Sequence, residues 1–551
     1  MLREGDIVPG EIEASGVSKR KYVVILGSLM SGLGKGIATA SIGRQLQARG
    51  FNVVPIKFDG YLNTDCGTIN PYKHGEVFVL DDGCECDMDL GTYERFLNID
   101  LNGNNNITGG KILKYVIDNE RKGVYLGDDV QIVPHLTNEI KKWIKRVGSS
   151  FKADVVLIEV GGTVGDLENS YFIEAMRQLS LEEKGDVAIV QVTYVPVMDA
   201  VGEQKTKPTQ HATRTLQGMG VQPDIILCRS GARLSADARR KIAMFCNVQP
   251  EAVIDDYDSK TIYGVPQLFE SQNLSRLILD KLGIKGRESD LKRWNELVER
   301  IENPKRKVTV AITGKYTALK DAYVSIKEAL VHAGASTDCE VDLKWVETTD
   351  IKDDKSAAEA LKGCDGIIVP GGYGPRGTEG KVECARYARE NDLPYLGLCF
   401  GMQYMVVEFA RNVCGMKDAN STEAEPKTKY PVVDLMPEQK FTEVMGATNR
   451  LGLREIAIKR ETLAHKLYGK SMTMERFRHR YEINPEYVPI LEKNGLIFSG
   501  ASANGKIMEI AELKGKRFYF GTQFHPEFSS RLERPSPVFI GFVTACLSRK
   551  G

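Results

Sequence analysis

Short runs of apolar, mostly β-branched residues alternate with longer stretches in which apolar and polar residues recur at helical spacing. In the first half of the chain they predict a helix at 34–49 and strands at 22–26, 53–58, 155–160, 187–192 and 224–228. Strands separated by helices pack as a parallel sheet that is covered on both faces. The first half is therefore predicted to be an α/β domain.

A second series of the same kind begins near residue 308. It predicts strands at 308–313, 366–370 and 395–398 and helices at 323–333 and 382–391. Between the two series, residues 286–307 are strongly charged and include Pro304, which predicts an exposed helix followed by a linker. The polar segment 412–430 is predicted to be a loop.

The fold class expected is α/β with two parallel-sheet domains. The organisation predicted is an N-terminal extension at 1–20, a first domain at 21–284, a linker at 285–306 and a second domain at 307–551.

Composition narrows the classes of protein without choosing one. The 551 residues include 74 basic and 74 acidic side chains, so no overall basic field favours nucleic acid as a partner. No apolar run approaches the ~18 residues of a membrane span, and no secretory signal is visible. The 11 cysteines are an odd number, which favours reduced thiols and a cytoplasmic location. A structural metal at the close pair Cys84 and Cys86 is the less favoured alternative.

The first candidate for chemistry is the glycine-rich segment 27–36, GSLMSGLGKG, between the first strand and the first helix. Such a turn directs backbone N–H groups and a helix N-terminus at phosphate oxygens. The strict P-loop pattern fails, because Leu29 stands where the first glycine belongs and Gly36 follows Lys35 in place of Ser or Thr. The segment favours a nucleotide site, with a plain strand–helix turn as the alternative.

Charged residues near other predicted strands strengthen the nucleotide hypothesis. Lys57 ends the second strand, Glu159 closes the strand VVLIEV, and Asp89 lies in the acidic segment 81–90. Carboxylates beside a phosphate loop are the oxygen ligands that Mg²⁺ needs when it binds a triphosphate, and a solvated acidic loop is the alternative. The segment GEQKTKPTQ at 202–210 places two lysines around a threonine, which suits anionic phosphate, although such pairs are usually solvated.

The segment 397–401, GLCFG, places Cys399 between a predicted strand and a helix-prone stretch. G-x-C-x-G is the thiol form of the nucleophile elbow, in which small flanking residues allow a sharp turn that exposes the side chain. A helix N-terminus at this point favours the thiolate. His525 and Glu527 are the best candidates for a base and an orienting carboxylate, and the glycine pair 371–372 is placed to supply oxyanion donors. A buried structural cysteine is the alternative.

Taken together, the motifs resemble those of the CTP synthase family. They are SGLGKG, HGEVFV at 74–79, the acidic loop, EVGGTVGD, KTKPTQ, PGGYG, GLCFGMQ, NSTE, RHRYE and QFHPE, in the family's order and spacing over about residues 20–548. The resemblance implies a P-loop-like synthetase (amidoligase) domain fused to a class I glutamine amidotransferase domain. It implies that ATP phosphorylates O4 of UTP, that glutamine is hydrolysed at a distant thiol, and that the ammonia displaces phosphate to give CTP.

The resemblance also implies roles for individual residues. ATP would be bound by Ser31, Gly32, Leu33, Gly34, Lys35, Gly36, Lys57 and Arg229, and Mg²⁺ by Asp89 and Glu159. UTP, and the product CTP in an overlapping site, would be bound by Asp166, Glu168, Lys205, Thr206, Lys207, Gln210 and Lys241. The catalytic triad would be Cys399, His525 and Glu527, with Gly372, Glu423 and Arg480 around glutamine and with His74 and Val77 near the mouth of an ammonia passage.

Two further properties follow from the same resemblance. GTP is expected to activate the glutaminase step, with the loop 374–380 and its Arg376 involved. The expected assembly is a homotetramer with UTP sites where subunits meet, and filaments are a further possible state.

Four departures from the family pattern remove no catalytic group. They are Ser28 in a usual glycine pair, Gly60 in a usual Asp-Pro-Tyr, Phe400 for the usual Leu, and GATNRLG at 446–452 for GGTMRLG. They bear on GTP activation and nucleotide affinity. Two alternatives stay open at this point: a dethiobiotin- or cobyrinate-type ligase, which would not be expected to carry KTKPTQ, and a non-catalytic filament scaffold.

Overall fold

The protein is described by a computed structural model, which covers residues 19–28, 30–70, 75–198, 202–315, 320–435 and 449–550. Its strands are β1 (Lys21–Gly27), β2 (Val53–Asp59), β3 (Val77–Val79), β4 (Glu85–Asp87), β5 (Asn106–Thr108), β6 (Val155–Val160), β7 (Val187–Tyr194), β8 (Val197–Met198), β9 (Glu203–Gln204), β10 (Ile225–Ser230), β11 (Val253–Tyr257), β12 (Arg306–Gly314), β13 (Cys339–Glu347), β14 (Gly366–Val369), β15 (Tyr395–Leu398), β16 (Ala419–Ser421), β17 (Tyr430–Leu435), β18 (Arg450–Ile458), β19 (Met472–His479), β20 (Tyr481–Ile483), β21 (Leu496–Ser502), β22 (Met508–Leu513) and β23 (Tyr519–Thr522).

The α-helices are α1 (Lys35–Ala48), α2 (Met88–Leu97), α3 (Gly109–Arg121), α4 (Thr137–Ser150), α5 (Ser170–Glu182), α6 (Lys207–Gly218), α7 (Ala236–Cys246), α8 (Val265–Glu270), α9 (Leu274–Leu282), α10 (Lys292–Glu302), α11 (Val324–Thr337), α12 (Asp354–Leu361), α13 (Thr378–Glu390), α14 (Phe400–Asn412), α15 (Leu463–Tyr468), α16 (Val488–Lys493) and α17 (Pro537–Lys550). None of the helices within the described residues has the length and hydropathy of a membrane span.

The chain forms two compact units. The first contains the described residues up to Thr64 together with Asn104–Asn295, and the second contains Asp65–Gly103 together with Glu296 and the residues that follow it. The segment Asp65–Gly103, which the sequence places within the first domain, therefore packs with the second unit. The domain boundaries stated above, with a linker at 285–306, stay a prediction.

The first unit is built on a seven-stranded sheet in the order β11-β10-β7-β1-β6-β2-β5, in which every pair is parallel. The strands β1, β6 and β7 are buried along almost their whole length, as expected for a parallel sheet with helices on both faces. Each strand predicted in this half overlaps an observed strand, and the predicted α/β fold is confirmed. Because all strands run the same way, the C-terminal ends of β1, β2 and β6 meet at one edge of the sheet.

The second unit contains a nine-stranded sheet in the order β13-β12-β14-β15-β23-β22-β21-β18-β19. The pairs from β13 to β23 are parallel, whereas those from β23 to β19 are antiparallel. The strands predicted in this half correspond to β12, β14 and β15. The antiparallel half is not part of the prediction, because strands such as β18 alternate buried with exposed positions and show no continuous apolar run.

Two local predictions need correction. The helix predicted to be exposed before the linker is α10, and its Trp294 is fully buried, with Nε1 donating to the Tyr263 carbonyl at 2.8 Å. The many charged residues around Trp294 predicted an exposed helix, so the buried face of α10 was missed in the sequence. The segment 412–430, predicted to be a loop, contains the short strand β16, which pairs with β17.

Candidate active sites

The glycine-rich turn of the first unit connects β1 to α1. Gly32 and Gly34 have φ of 76° and 83°, a left-handed conformation that glycine adopts without steric cost. The Lys35 side chain is buried and donates from Nζ to the Gly162 carbonyl at 2.8 Å. A Cβ on Gly27 would lie 2.5 Å from this Nζ, so the lysine side chain lies directly against Gly27. The turn thus places a buried ammonium group at the end of β1.

The remaining turn residues surround this lysine in sequence. Ser31 is exposed, Leu33 is buried, and Gly36 lies in the first turn of α1. Leu29, at the position of the missing P-loop glycine, lies outside the described residues. Ser28 is buried and its hydroxyl donates to the Val192 carbonyl at 3.0 Å, so this departure from the family pattern has a satisfied hydrogen bond.

A buried ion pair lies at the same edge of the sheet. Lys57 of β2 and Glu159 of β6 are direct partners in the strand register, and Nζ lies 3.6 Å from Oε1. The second carboxylate oxygen of Glu159 accepts from the Thr39 hydroxyl of α1 at 3.1 Å. Glu159 is 1% exposed. An ammonium group and a carboxylate therefore lie together where the turn presents its backbone donors.

The other residue predicted to hold a metal belongs to the second unit. Asp89 lies in the first turn of α2, and its backbone N–H donates to the Asp87 side chain that caps this helix, at 2.9 Å. Among the described residues, no group of three or more His, Cys, Asp or Glu side chains is placed to hold a metal by protein ligands alone. Mg²⁺ in nucleotide sites commonly takes one or two carboxylates and completes its shell with phosphates and water. Each of the two carboxylates, taken by itself, is a ligand of this kind.

Five of the residues predicted for UTP line one cavity of about 730 Å³ in the first unit: Lys205, Thr206, Lys207, Gln210 and Lys241. Two of these lysines carry acidic neighbours, since Nζ of Lys205 and of Lys241 each lies 2.7 Å from a carboxylate oxygen, of Glu203 and Asp237 respectively.

The other two residues predicted for UTP lie on the turn after β6. Asp166 accepts from the backbone N–H of Thr163 at 3.0 Å and from its hydroxyl at 2.5 Å, and Glu168 is exposed. Arg229, predicted near the adenine, lies at the end of β10 and pairs with Asp258 at 2.5 Å. None of these three residues is among those that line the 730 Å³ cavity.

The second unit contains the predicted nucleophile elbow. Cys399 lies between β15 and α14 with φ 51° and ψ −101°, a conformation that non-glycine residues rarely adopt. A Cβ on Gly397 would lie 2.7 Å from the Gly401 carbonyl carbon, and one on Gly401 would collide with the Val369 carbonyl. Only glycine therefore fits on either side of the cysteine, and the strained turn holds the thiol at the helix N-terminus.

His525 and Glu527 lie beside this thiol. Nδ1 of His525 is 2.7 Å from Oε1 of Glu527, and both side chains are buried. A Cβ on Gly371 would lie 3.1 Å from Cε1 of His525 and 3.8 Å from Cβ of Cys399, so the imidazole and the thiol flank the same glycine. Burial lowers the pKa of His525, but Glu527 and Cys399 outweigh it and raise the pKa to about 10. The imidazole is therefore stabilised in its protonated form.

These groups line a cavity of about 680 Å³ in the second unit, together with Glu423 and Arg480. Oε1 of Glu423 accepts from the backbone N–H of Gly374 at 2.6 Å, and burial raises the pKa of this carboxyl. Nε of Arg480 donates to Oδ1 of Asn449 at 2.8 Å. A carboxylate and a guanidinium in one pocket provide partners for the α-ammonium and α-carboxylate of an amino acid.

Two residues that contact the thiol were not predicted from the sequence. Nε2 of Gln523 donates to Sγ of Cys399 at 3.5 Å, and the thiol donates to the Arg478 carbonyl at 3.6 Å. The Arg478 guanidinium pairs with Glu85 at 2.7 Å. Gln523 and Arg478 stand in the motifs QFHPE and RHRYE, so sequence proximity to His525 and Arg480 was the available signal. Val77 lines the cavity as well, whereas His74 lies outside the described residues.

Comparisons with known proteins identify the family of the chain. Residues 21–284 match the family model described as CTP synthase N-terminus, and residues 318–545 match the model described as glutamine amidotransferase class-I. A CTP synthase of Thermococcus gammatolerans is 53% identical over 532 residues, which cover 96% of this chain and 99% of that protein. A CTP synthase of Archaeoglobus fulgidus is 52% identical over 528 residues, with 96% and 98% covered.

The chain belongs to the CTP synthase family. As a CTP synthase it forms CTP from UTP in an ATP-dependent reaction that takes nitrogen from glutamine. Among solved structures, it is similar to one described as the glutaminase domain of Trypanosoma brucei CTPS with bound acivicin, with 36% identity, 44% of this chain and 94% of that chain covered, and a TM-score of 0.42. Membership of this family, shown by the family models and the curated relatives, sets aside the dethiobiotin- or cobyrinate-type ligase and the non-catalytic scaffold.

Proposed function

We propose that the enzyme works in three stages, in which ATP phosphorylates O4 of UTP in the first unit, glutamine is hydrolysed at Cys399, and the released ammonia displaces the phosphate. The observation that carries this proposal is the pairing, in one chain, of a buried thiol–imidazole–carboxylate set with a phosphate-binding turn. The set at the thiol consists of Cys399, His525 and Glu527. The site at the turn contains Lys35 and the Lys57–Glu159 pair.

At the amidotransferase site the proposal assigns each group one task. The thiolate of Cys399 attacks the amide carbon of glutamine, and the developing oxyanion is met by backbone N–H groups of the loop 371–372. The imidazolium of His525, held by Glu527, donates its proton to the leaving nitrogen, which departs as ammonia. Water, activated by the now neutral imidazole, then cleaves the glutamyl thioester to glutamate and restores the thiol. Glu423 and Arg480 hold the amino-acid end of glutamine throughout.

At the synthetase site Lys35 and Lys57 are proposed to contact the phosphates of ATP and to stabilise the phosphoryl group in transfer. Asp89 and Glu159 would hold Mg²⁺, which when bound supplies positive charge to the phosphate oxygens. The residues Ser31, Gly32, Leu33, Gly34 and Gly36 would present backbone donors, with Arg229 near the adenine. This assignment is supported by the burial of Lys35 and Glu159 at the end of the parallel sheet.

Nucleotide regulation is proposed at two places. CTP would inhibit by occupying part of the UTP site, since the two nucleotides share the ribose and triphosphate that the lysines of the 730 Å³ cavity would hold. Competition between CTP and varied UTP would test this. GTP would activate the glutaminase step through the loop 374–380, where the Arg376 side chain donates to the Lys315 carbonyl.

The enzyme is further proposed to act as a homotetramer in the cytoplasm. The tetramer follows from the family resemblance, and it is compatible with a cavity that is lined by five of the seven UTP residues and not by Asp166 or Glu168. The location is supported by the cysteines: all 11 lie among the described residues and none forms a disulfide.

The synthetase domain would extend over 21–284 and the amidotransferase domain over 307–551.

Mutation of each centre, measured with two nitrogen sources, tests the proposal. Cys399→Ala should lose glutamine-dependent CTP synthesis by orders of magnitude and retain synthesis from added ammonium at high pH, where more NH₃ is present. Lys35→Ala should lose both, because the phosphorylated intermediate is needed for either nitrogen source. A Cys399→Ala enzyme that melts normally and still uses glutamine would contradict the amidotransferase assignment.

A further inference from the structure

Two buried lysines lie beneath the loop that faces the thiol. Lys381 of α13 is 1% exposed, and Lys315, directly after β12, is 5% exposed. A buried ammonium group is costly unless polar groups compensate it, so the contacts of these two side chains are informative. We call them the lysine pair, and residues 370–374 the oxyanion loop.

The lysine pair binds carbonyl oxygens of the oxyanion loop. Nζ of Lys381 donates to the carbonyl of Pro370 at 3.1 Å and, from the other side, to that of Thr313 at 3.5 Å. Nζ of Lys315 donates to the Tyr373 carbonyl and to that of Gly374 at 3.4 Å. Hydrogen bonds from the two lysine side chains thus hold both ends of the oxyanion loop.

Because peptide groups are planar, the carbonyls that the lysines bind also fix the direction of the neighbouring N–H groups. In a planar trans peptide the C=O of one residue and the N–H of the next point in opposite directions. Lys315 binds the Tyr373 carbonyl, and the N–H of Gly374 indeed points the other way, into the cavity, where it donates to Glu423 at 2.6 Å. By the same geometry, the Pro370 carbonyl held by Lys381 directs the N–H of Gly371 away from the lysine. The same glycine lies beside His525 and Cys399, since its Cβ position is 3.1 Å from Cε1 of the first and 3.8 Å from Cβ of the second.

The ring of Phe400 lies near both lysines and beside the oxyanion loop. Its ring centroid lies 5.9 Å from Nζ of Lys315 and 5.6 Å from Nζ of Lys381, within the range of cation–π attraction. A Cβ on Gly372 would lie 3.7 Å from Cε of Lys315 and 3.9 Å from Cδ1 of Phe400, so these side chains form the floor under Gly372. The aromatic ring at this departure from the family pattern gives both lysines a favourable neighbour that leucine lacks.

From these contacts we infer that the lysine pair positions the oxyanion loop for glutamine hydrolysis, with Lys381 directing the Gly371 N–H at the oxyanion and Lys315 directing the Gly374 N–H at Glu423. This inference rests on the proposed amidotransferase function. Burial, with the charge of Lys315 nearby, lowers the pKa of Lys381 to about 7. A primary amine donates hydrogen bonds in either protonation state, so the positioning does not depend on the charge.

The two lysines then act on different kinetic parameters. The oxyanion exists only in the transition state and the tetrahedral intermediate, whereas Glu423 contacts glutamine in the ground state. Lys381→Met should therefore lower kcat for glutamine hydrolysis by about tenfold or more, part of the roughly 10²–10³ lost when an oxyanion donor is removed, with KM for glutamine little changed. Lys315→Met should chiefly raise KM for glutamine.

The experiment uses the full-length enzyme and first establishes that the wild type forms CTP from glutamine; absence of that activity would contradict the proposed function rather than this inference. Each variant is then assayed with glutamine and with ammonium salt, and ammonia-dependent synthesis should stay at the wild-type level. Lys381→Gln, which keeps a donor, should recover part of the lost kcat. Lys141→Met, which removes an equally buried lysine of α4 in the first unit, is the matched control and should leave the glutamine kinetics unchanged.

Binding of an aldehyde analogue of glutamine gives a second readout. The thiol of Cys399 adds to the aldehyde carbon to form a thiohemiacetal, whose oxygen takes the place of the oxyanion. Lys381→Met should therefore weaken binding of the aldehyde in proportion to the loss of kcat. Unchanged kcat and unchanged aldehyde affinity in Lys381→Met would overturn the inference. So would a folded Lys381→Met enzyme whose CTP synthesis falls equally with glutamine and with ammonium. If Lys381→Met does not fold, Phe400→Leu replaces it, because this variant keeps both lysine donors and removes only the ring. It should lower kcat with glutamine by a smaller factor and keep ammonia-dependent synthesis. Wild-type glutamine kinetics in Phe400→Leu would overturn the inference.

Discussion

Cys399 combines backbone strain with a charged neighbour. Its positive φ is one that an L-residue adopts only where the surrounding structure imposes it, and Gly397 and Gly401 provide the necessary close contacts. Beside it, His525 is buried, which alone would favour the neutral imidazole, and Glu527 reverses this preference. The protonation of His525 thus depends on its carboxylate partner, Glu527.

Replacement of that carboxylate yields a pH-dependent prediction. The pKa of His525 is raised from its unfolded value near 6.5 to about 10, so the stabilisation from its protonation is complete below about pH 6.5 and is lost as the pH rises through 10. In Glu527→Gln the burial penalty prevails and the pKa of His525 falls. The deficit in stability of Glu527→Gln relative to wild type should therefore be larger at about pH 6 than at about pH 10.

Thermal melting of both proteins across this pH range measures the effect. Glutamine hydrolysis by Glu527→Gln should also fall, since a neutral imidazole is a far weaker acid than an imidazolium and protonates the leaving nitrogen poorly. A stability deficit that does not change with pH would contradict the raised pKa of His525.

At the scale of elements, helix α2 is held in the second unit by buried charges. Glu94 of α2 is fully buried and accepts from Arg476 of β19 at 2.7 Å and from Arg531 at 2.5 Å, and its Oε1 also accepts from the Leu101 N–H at 2.8 Å. The same helix bears Asp89 in its first turn. A proposed metal ligand of the synthetase reaction is therefore anchored by residues of the amidotransferase half of the sequence.

Glu94→Gln should destabilise this unit strongly. It removes the fully buried carboxylate that two buried guanidinium groups share and leaves them only the more exposed Asp81 and Asp100, and the loss of a buried partner typically costs about 3–5 kcal/mol. Asp118→Asn, which breaks the exposed i,i+4 pair with Lys114 at 3.0 Å, is the matched control and should cost no more than about 0.5 kcal/mol. Calorimetric melting compares the two, and equal stability of both variants would contradict the anchoring role. Because α2 carries Asp89, Glu94→Gln should reduce ammonia-dependent synthesis as well.

At the scale of the whole molecule, the family resemblance implies UTP sites where subunits meet, so assembly is expected to complete the site. UTP and ATP should then promote the tetramer, since ligands that bind only the assembled form favour it by mass action. Sedimentation velocity at low protein concentration, with and without both nucleotides, measures this, and specific activity should fall on dilution. A monomer that keeps full activity at every concentration would contradict the shared site.

The sequence alone determined the features that depend on local spacing. Alternation of short apolar runs with helical segments predicted the parallel sheet around β1 and the predicted strands of the second unit, because buried parallel strands must be continuously apolar. G-x-C-x-G predicted the strained turn at Cys399, since only glycine tolerates its close backbone contacts. The position of Asp89 and Glu159 near the glycine-rich turn indicated Mg²⁺ ligands, whereas the residues for UTP and for the adenine came from family resemblance, and all of these assignments stay predictions.

Only the tertiary structure decided what depends on contacts between distant residues. The segment 65–103 packs with the second unit because its Glu94 meets Arg476 and Arg531, more than 380 and 430 positions away. In the sequence, Lys315 and Lys381 look like any solvated lysine, because a sequence does not record the burial that makes an ammonium group seek backbone carbonyls. Burial and direction are properties of the packed chain, so the oxyanion loop's support became visible only once β12, α13 and α14 were in place.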